Sequence, residues 1–145
     1  MKTFNILLVE DNEGDVILTL EALKEEQADE YVSVISDGQE ALHFLRQEGR
    51  YAGAIIPDLI LLDINLPKMD GKEVLTSIKT DEKLKKIPVI VLTSSSSEKD
   101  IFDAYRLQAN CYVTKPLNLH AFTTAVRSIG EFWMKTVQLP QTKPV

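Results

Sequence analysis

The chain has 145 residues, of which 44% are hydrophobic and 26% are charged, and its single cysteine, Cys111, excludes an internal disulfide. The net charge of −6, with no basic cluster longer than the pair Lys85 and Lys86, argues against a nucleic-acid-binding surface. No apolar run approaches the roughly 18 residues that span a membrane, and residues 1–5 do not resemble a signal peptide. These properties predict one globular domain in the cytosol, without membrane attachment.

Five short apolar runs recur along the chain and predict β-strands. The first, third and fourth are nearly continuous blocks of Ile, Leu and Val, which is typical of strands buried on both faces of a parallel sheet. The five runs cover residues 4–9, 31–35, 59–62, 89–92 and 111–113.

Between and after these runs, apolar residues recur at helical spacing and predict five helices. The residues that mark them are, in chain order, Val16, Leu20 and Leu23; Ala41, Leu42 and Leu45; Val74, Leu75 and Ile78; Ile101, Phe102 and Tyr105; and Phe122, Val126, Ile129 and Trp133. Alternating strands and helices predict an α/β domain with right-handed crossovers. The serines at 94–97 are expected to form a loop and helix cap, and residues 140–145 a disordered tail.

Polar residues follow four of the five strand runs. In an open parallel sheet the ligands bind beyond the carboxyl ends of the strands, so these residues are the candidates for function. They are Glu10 and Asp11, Asp63, Thr93, and Lys115. Three carboxylates crowded at one edge are costly unless they are compensated, and oxygen ligands alone favour a hard divalent cation such as Mg²⁺.

An ammonium and a hydroxyl complete a site suited to a phosphoryl group on a carboxylate. Asp63 would be the nucleophile that attacks phosphorus, Mg²⁺ and Lys115 would neutralise phosphoryl oxygens, and Thr93 would donate a hydrogen bond. Taken singly, Asp11 is also typical of a helix cap, Lys115 of the surface and Thr93 of a strand end. Their joint occurrence after successive strands favours the phosphoryl site.

Four separated motifs resemble the receiver domains of two-component response regulators. They are ILLVEDN at 6–12, LDINLPKMDG at 62–71, VLTS at 91–94 and YVTKP at 112–116. The likeness extends over about residues 4–130, and the motifs agree in order and spacing. It implies a flavodoxin-like (βα)5 three-layer sandwich with a five-stranded parallel sheet in the order 2-1-3-4-5.

The resemblance also implies roles for the acidic residues. Asp63 matches the phosphorylation site of the family. Asp11 matches the direct Mg²⁺ ligand, and Glu10 the acid that acts through water. The backbone carbonyl of Asn65 is implied as a further metal ligand.

The same resemblance implies a conformational switch. Thr93 matches the switch hydroxyl, Lys115 the phosphate-pairing lysine, and Tyr112 the switch aromatic, although a half-buried strand tyrosine is the alternative reading of Tyr112. The peptide bond between Lys115 and Pro116 is implied to be cis.

The C-terminal segment predicts a contact surface. We assign residues 1–130 to the receiver domain and residues 131–145 to an extension of the last helix plus a tail. Phe132, Trp133, Val137 and Leu139 are the expected homodimer contacts, unless they extend the core instead. This ending, and the segment EDNEGD at 10–15, resemble short regulators partnered with cyanobacterial and bacterial phytochromes. That likeness implies a phytochrome histidine kinase as the phosphodonor.

The predicted function is that of a single-domain response regulator, which is not an enzyme beyond autocatalysed phosphotransfer and self-dephosphorylation. A phosphorelay carrier and a dimeric interaction module are the alternatives.

Other classes of protein fit the sequence less well. A phosphatase of the haloacid dehalogenase type would need an acid where Asn65 stands. A nucleotide-binding Rossmann domain would need a glycine-rich motif that the first strand lacks. A receiver-like module without phosphorylation is disfavoured by the intact acids, Thr93 and Lys115.

Overall fold

Strands and helices alternate along the chain in a computed structural model that describes residues 3–25 and 31–140. The strands are β1 Ile6–Val9, β2 Val32–Ile35, β3 Leu59–Leu62, β4 Val89–Thr93 and β5 Cys111–Thr114. The helices are α1 Glu13–Glu25, α2 Gly38–Leu45, α3 Gly71–Thr80, α4 Glu98–Arg106 and α5 Leu119–Glu131. None of the helices in these two ranges is both long and apolar enough to cross a membrane.

All strand pairs are parallel, and within the described ranges the sheet has five strands in the order β2-β1-β3-β4-β5. This confirms the flavodoxin-like fold and the strand order implied by the motifs. The central strands β1, β3 and β4 are buried along their whole length, whereas β2 and β5 are only partly covered. Their position at the two edges explains why their sequences are less continuously apolar.

Alternate residues of the central strands point to opposite faces of the sheet, which makes two cores. One core joins the sheet to α2, α3 and α4, and it contains Leu62, Leu45 and Ile78. The other joins the sheet to α1 and α5, and it contains Leu61 and Val126. The three-layer sandwich is therefore confirmed, and the predicted inward residues of α2 and α3 are all buried.

Helix α4 differs from the expectation based on its apolar residues. Phe102 and Tyr105 are 66% and 50% exposed, and Ile101 is half-buried. The buried residue of this helix is Ala104. A small inward side chain lets α4 lie close to the sheet, and it leaves the large aromatic side chains on the outer face.

The end of α5 continues into a short π-helical turn, Phe132–Thr136, which the Val137 N–H closes by donating to the Phe132 carbonyl at 3.0 Å. Trp133 and Met134 pack partly buried against the α1–α5 core, whereas Phe132 is 52% exposed. Residues 141–145, which include most of the predicted disordered tail, lie outside the described residues.

The turn between β3 and α3 closes directly behind Asp63 and requires a glycine. A Cβ on Gly71 would lie 2.3 Å from the Ile64 Cα and 2.5 Å from the Asp63 carbonyl oxygen. The Gly71 N–H donates to the Ile64 carbonyl at 3.0 Å, and Asp70 caps α3 by accepting from the Lys72 N–H at 2.8 Å. The helix start is therefore held against the strand end that carries Asp63.

We expect Gly71→Ala to lower the free energy of unfolding by about 2–3 kcal/mol, because the added methyl group meets backbone atoms that cannot move aside. Urea denaturation measures the change. Gly53→Ala is the matched control, since a Cβ there meets no heavy atom of the described chain within 4 Å, and its effect should stay within about 0.5 kcal/mol. Equal stabilities of the two variants would contradict this account of the turn.

Candidate functional site

Backbone hydrogen bonds carry the sheet ladder one residue past the strands and so assemble the site. The Asp63 N–H donates to the Val9 carbonyl at 3.0 Å, and the Lys115 N–H donates to the Thr93 carbonyl at 2.7 Å. The Glu10 N–H likewise donates to the last carbonyl of β2, at 3.0 Å. The residues that follow β1, β3 and β5 therefore lie side by side with the end of β4, as the sequence predicts.

Lys115 is the centre of this cluster. Its Nζ donates to Asp15 Oδ2 at 2.8 Å, to Asp63 Oδ2 at 2.9 Å and to Glu10 Oε1. The Lys115 and Asp63 side chains are each 7% exposed. An ammonium has three N–H groups, so all of the donors of Lys115 are used on carboxylates.

The charges of the cluster depend on one another. Burial raises the pKa of Glu10 to about 7; the hydrogen bond from Lys115 opposes the rise, and the neighbouring Asp63 charge adds to it. Burial alone would lower the pKa of Lys115, but the bonds from Asp15, Glu10 and Asp63 outweigh it and raise that pKa. Desolvation offsets much of the Coulomb attraction between such buried groups, so the cluster is weak evidence for a gain in stability.

The three predicted acids are close enough to share a cation. One carboxylate oxygen from each of Glu10, Asp11 and Asp63 lies within 4.8 Å of the others. Asp11 is exposed and the other two are buried, so the group opens to solvent on one side. A donor set made only of carboxylate oxygens suits a hard divalent cation such as Mg²⁺ or Mn²⁺.

The structure joins Asn65 to two other site residues. Its backbone N–H donates to Asp63 Oδ1 at 2.9 Å, and its side-chain amide donates to Thr93 Oγ1 at 3.3 Å. Thr93 is fully buried, and its hydroxyl also accepts from the Ser95 N–H at 3.4 Å. Asp63 and Thr93 are thereby linked through one residue.

Tyr112 extends this link towards α4. Its hydroxyl donates to the Ser95 carbonyl at 2.8 Å, and its ring is half-buried against the core. Ser95 in turn donates from its hydroxyl to Asp100 Oδ2 at 2.5 Å. Lys72 of α3 bonds Asp100 at 2.6 Å and Asp103 at 3.0 Å. Sequence reasoning missed this bridge from the site to α3 and α4.

One implied feature is wrong. The peptide bond between Lys115 and Pro116 is trans, and the described residues contain no cis peptide bond. The trans form of an X–Pro bond is favoured by about 0.5–1 kcal/mol in the absence of other constraints. The ammonium of Lys115 reaches its three carboxylates from the trans form, so its placement does not require the cis form.

Sequence reasoning also missed Asp15. It lies in the first turn of α1, where its backbone N–H donates to Asn12 Oδ1 at 2.9 Å. Its carboxylate is the one that reaches Lys115 from the helix rather than from a strand end. No local spacing pointed to this contact, because Asp15 and Lys115 are 100 residues apart in the sequence.

Comparisons with known proteins agree with this geometry. A family model for the response regulator receiver domain matches residues 6–127. The response regulator Rcp1 of Synechocystis sp. is 48% identical over 135 residues, which are 93% of this chain and 92% of Rcp1.

Two solved structures are similar over nearly the whole chain. The phosphorylated cyanobacterial phytochrome response regulator RcpA has 51% identity and a TM-score of 0.93, over 97% of this chain and 100% of RcpA. The Mn²⁺-bound form of Rcp1 has 47% identity and a TM-score of 0.91, over 95% of this chain and 99% of Rcp1. The chain therefore belongs to the response regulator receiver domain family.

Proposed function

We propose that this chain accepts a phosphoryl group on Asp63 from the phosphohistidine of a histidine kinase. The observation that carries the proposal is the contact of the buried Asp63 carboxylate with the Lys115 ammonium, 2.9 Å away, at the carboxyl edge of the sheet. This pairing keeps a nucleophilic oxygen next to a cation that can receive phosphoryl oxygens. Membership of the receiver family supports the same assignment.

The transfer is an in-line displacement at phosphorus. An Asp63 carboxylate oxygen forms the new O–P bond while the P–N bond of the phosphohistidine breaks, and the imidazole nitrogen leaves with the bonding pair and takes up a proton. One N–H of Lys115 turns from a carboxylate to a phosphoryl oxygen. The Asn65 N–H keeps Asp63 Oδ1 in place during the attack. Catalysis of this kind consists mainly of positioning and charge stabilisation.

Glu10, Asp11 and Asp63, with the backbone carbonyl of Asn65, are the proposed ligands of Mg²⁺, and Glu10 acts through water. When bound, the cation supplies positive charge that offsets the phosphoryl oxygens. Support comes from the close approach of the three carboxylates and from the Mn²⁺-bound form of the relative Rcp1.

Phosphorylation is proposed to reach the surface through Thr93. Thr93 moves inward so that its hydroxyl donates to a new phosphoryl oxygen, and this movement shifts the hydroxyl relative to the Asn65 amide that donates to it in the unphosphorylated site. Ser95 and the Tyr112 hydroxyl are bonded to the same segment, so they move with it. The result is a shift between two packings of α4 and β5.

The proposed phosphodonor is a phytochrome histidine kinase. The support is the similarity to RcpA, a phosphorylated phytochrome response regulator that matches this chain at 51% identity. A carrier role in a phosphorelay uses the same chemistry at Asp63, so it differs from this proposal only in where the phosphoryl group goes next.

Incubation with acetyl phosphate and Mg²⁺ should add one phosphoryl group to the wild-type chain and none to Asp63→Asn, as measured by intact-mass spectrometry. The asparagine lacks the anionic oxygen that attacks phosphorus. Asp58→Asn is the matched control, because Asp58 is also buried but lies at the opposite end of β3. Phosphorylation of Asp63→Asn to the wild-type extent would refute the assignment.

We further propose that the C-terminal segment forms a homodimer contact. Phe132 is 52% exposed, and its ring meets the Trp133 ring edge-on with the centroids 5.8 Å apart. Val137, which is extended, and Leu139 follow this pair, and both are half-buried. Aromatic side chains that are partly exposed are enriched at the centre of protein–protein contacts, which supports this proposal.

Phe132→Ser should weaken self-association by at least about tenfold, because it removes the most exposed ring of this segment. Sedimentation equilibrium over a concentration series measures the association constant. Phe102→Ser provides the matched control, since Phe102 is 66% exposed on α4, away from this segment. A monomeric wild-type chain, or equal effects of the two substitutions, would rule out the proposed contact.

A further inference from the structure

Asp15 occupies a position in the site that the proposed phosphotransfer does not use. Its Oδ2 accepts from Lys115 Nζ at 2.8 Å, and its side chain is 28% exposed. Of the three carboxylates on Lys115, Asp63 receives the phosphoryl group and Glu10 belongs to the metal group. Asp15 belongs to neither, yet it takes one of the three N–H donors of the ammonium.

A phosphoryl oxygen can bond Lys115 only by displacing a carboxylate, because no N–H of the ammonium is free. The incoming group is also an anion that enters a site already holding four carboxylates, those of Glu10, Asp11, Asp15 and Asp63. Two of these acids and the lysine are nearly buried, so their interactions are screened less than those of surface charges. The charge of Asp15 therefore opposes the phosphoryl group in two ways, by repulsion and by occupying Lys115.

We propose that Asp15 is a positioning residue that restrains phosphorylation, because it competes with the phosphoryl group for the Lys115 ammonium. This inference rests on the proposed function of Asp63. The first turn of α1 would then lower the affinity of the site for a phosphoryl group. Asp15 acts on Lys115 and does not alter the nucleophile, Asp63.

The test uses two probes, acetyl phosphate and the phosphoryl analogue beryllium trifluoride, each at saturating Mg²⁺. Mg²⁺ affinity is measured separately for every variant by calorimetry, because removing an acid near the metal group weakens cation binding. Asp15→Asn keeps an oxygen acceptor and the side-chain shape but removes the charge. Glu13→Gln is the matched control, since it removes an exposed charge from the same helical turn without touching the described bonds of Lys115.

We expect Asp15→Asn to lower the half-saturating concentration of both probes by about fivefold, with a maximal phosphorylation rate close to that of the wild type. Glu13→Gln should change it by less than about twofold. Asp15→Glu, which restores the charge, should return the half-saturating concentration towards the wild-type value. If Asp15 only supported the fold, Asp15→Asn would change the half-saturating concentration and the maximal phosphorylation rate together. If Asp15→Asn fails to fold in circular dichroism, Asp15→Ser is tested in its place.

Two outcomes would overturn the proposal. Unchanged or weaker binding of both probes to Asp15→Asn would show that Asp15 does not compete for Lys115. Equal gains in Asp15→Asn and Glu13→Gln would show a general effect of net charge. A wild-type chain that takes up no phosphoryl group would instead overturn the assignment of Asp63, and this inference with it.

Discussion

The Lys115 ammonium holds together acids that would otherwise repel one another at the edge of the sheet. Glu10 and Asp63 are both nearly buried, and burial alone makes each carboxylate charge costly. Three hydrogen bonds from one amine make the arrangement tolerable and leave the site short of positive charge. A divalent cation would supply the missing positive charge. An incoming phosphoryl group must replace one carboxylate as a hydrogen-bond acceptor of Lys115. In the proposed mechanism, cation binding, phosphotransfer to Asp63 and the response of Thr93 all depend on the bonds that Lys115 makes.

The fold supplies this arrangement through its backbone. Parallel strands end at one edge, and hydrogen bonds from Asp63 to Val9 and from Lys115 to Thr93 fix the residues that follow. Gly71 allows α3 to start close behind Asp63. The chain of contacts that runs from Thr93 through Ser95 towards α4 connects the same edge to the outer surface of the domain. The site and its route to the surface thus arise from the ends of a few strands.

Much of the fold and of the candidate site could be predicted because the sequence patterns that indicate them are local. Blocks of aliphatic residues identified the strands, and the residues after them identified the site. The α4 face was mistaken because periodicity cannot tell a small inward residue, Ala104, from large exposed ones such as Phe102. The Asp15 contact and the Lys72 bridge were missed because each joins elements far apart in sequence. The cis bond before Pro116 was implied by resemblance alone, and the structure has a trans bond there.

A crystal structure of the chain with Mg²⁺ and beryllium trifluoride would show directly whether a phosphoryl group on Asp63 takes a hydrogen bond from Lys115. We expect the analogue on an Asp63 oxygen, with one N–H of Lys115 turned from a carboxylate to a fluorine and the Thr93 hydroxyl moved to another fluorine. A structure in which the analogue binds elsewhere, or in which Lys115 keeps all three carboxylate bonds while Asp63 carries the analogue, would contradict the proposed role of Lys115.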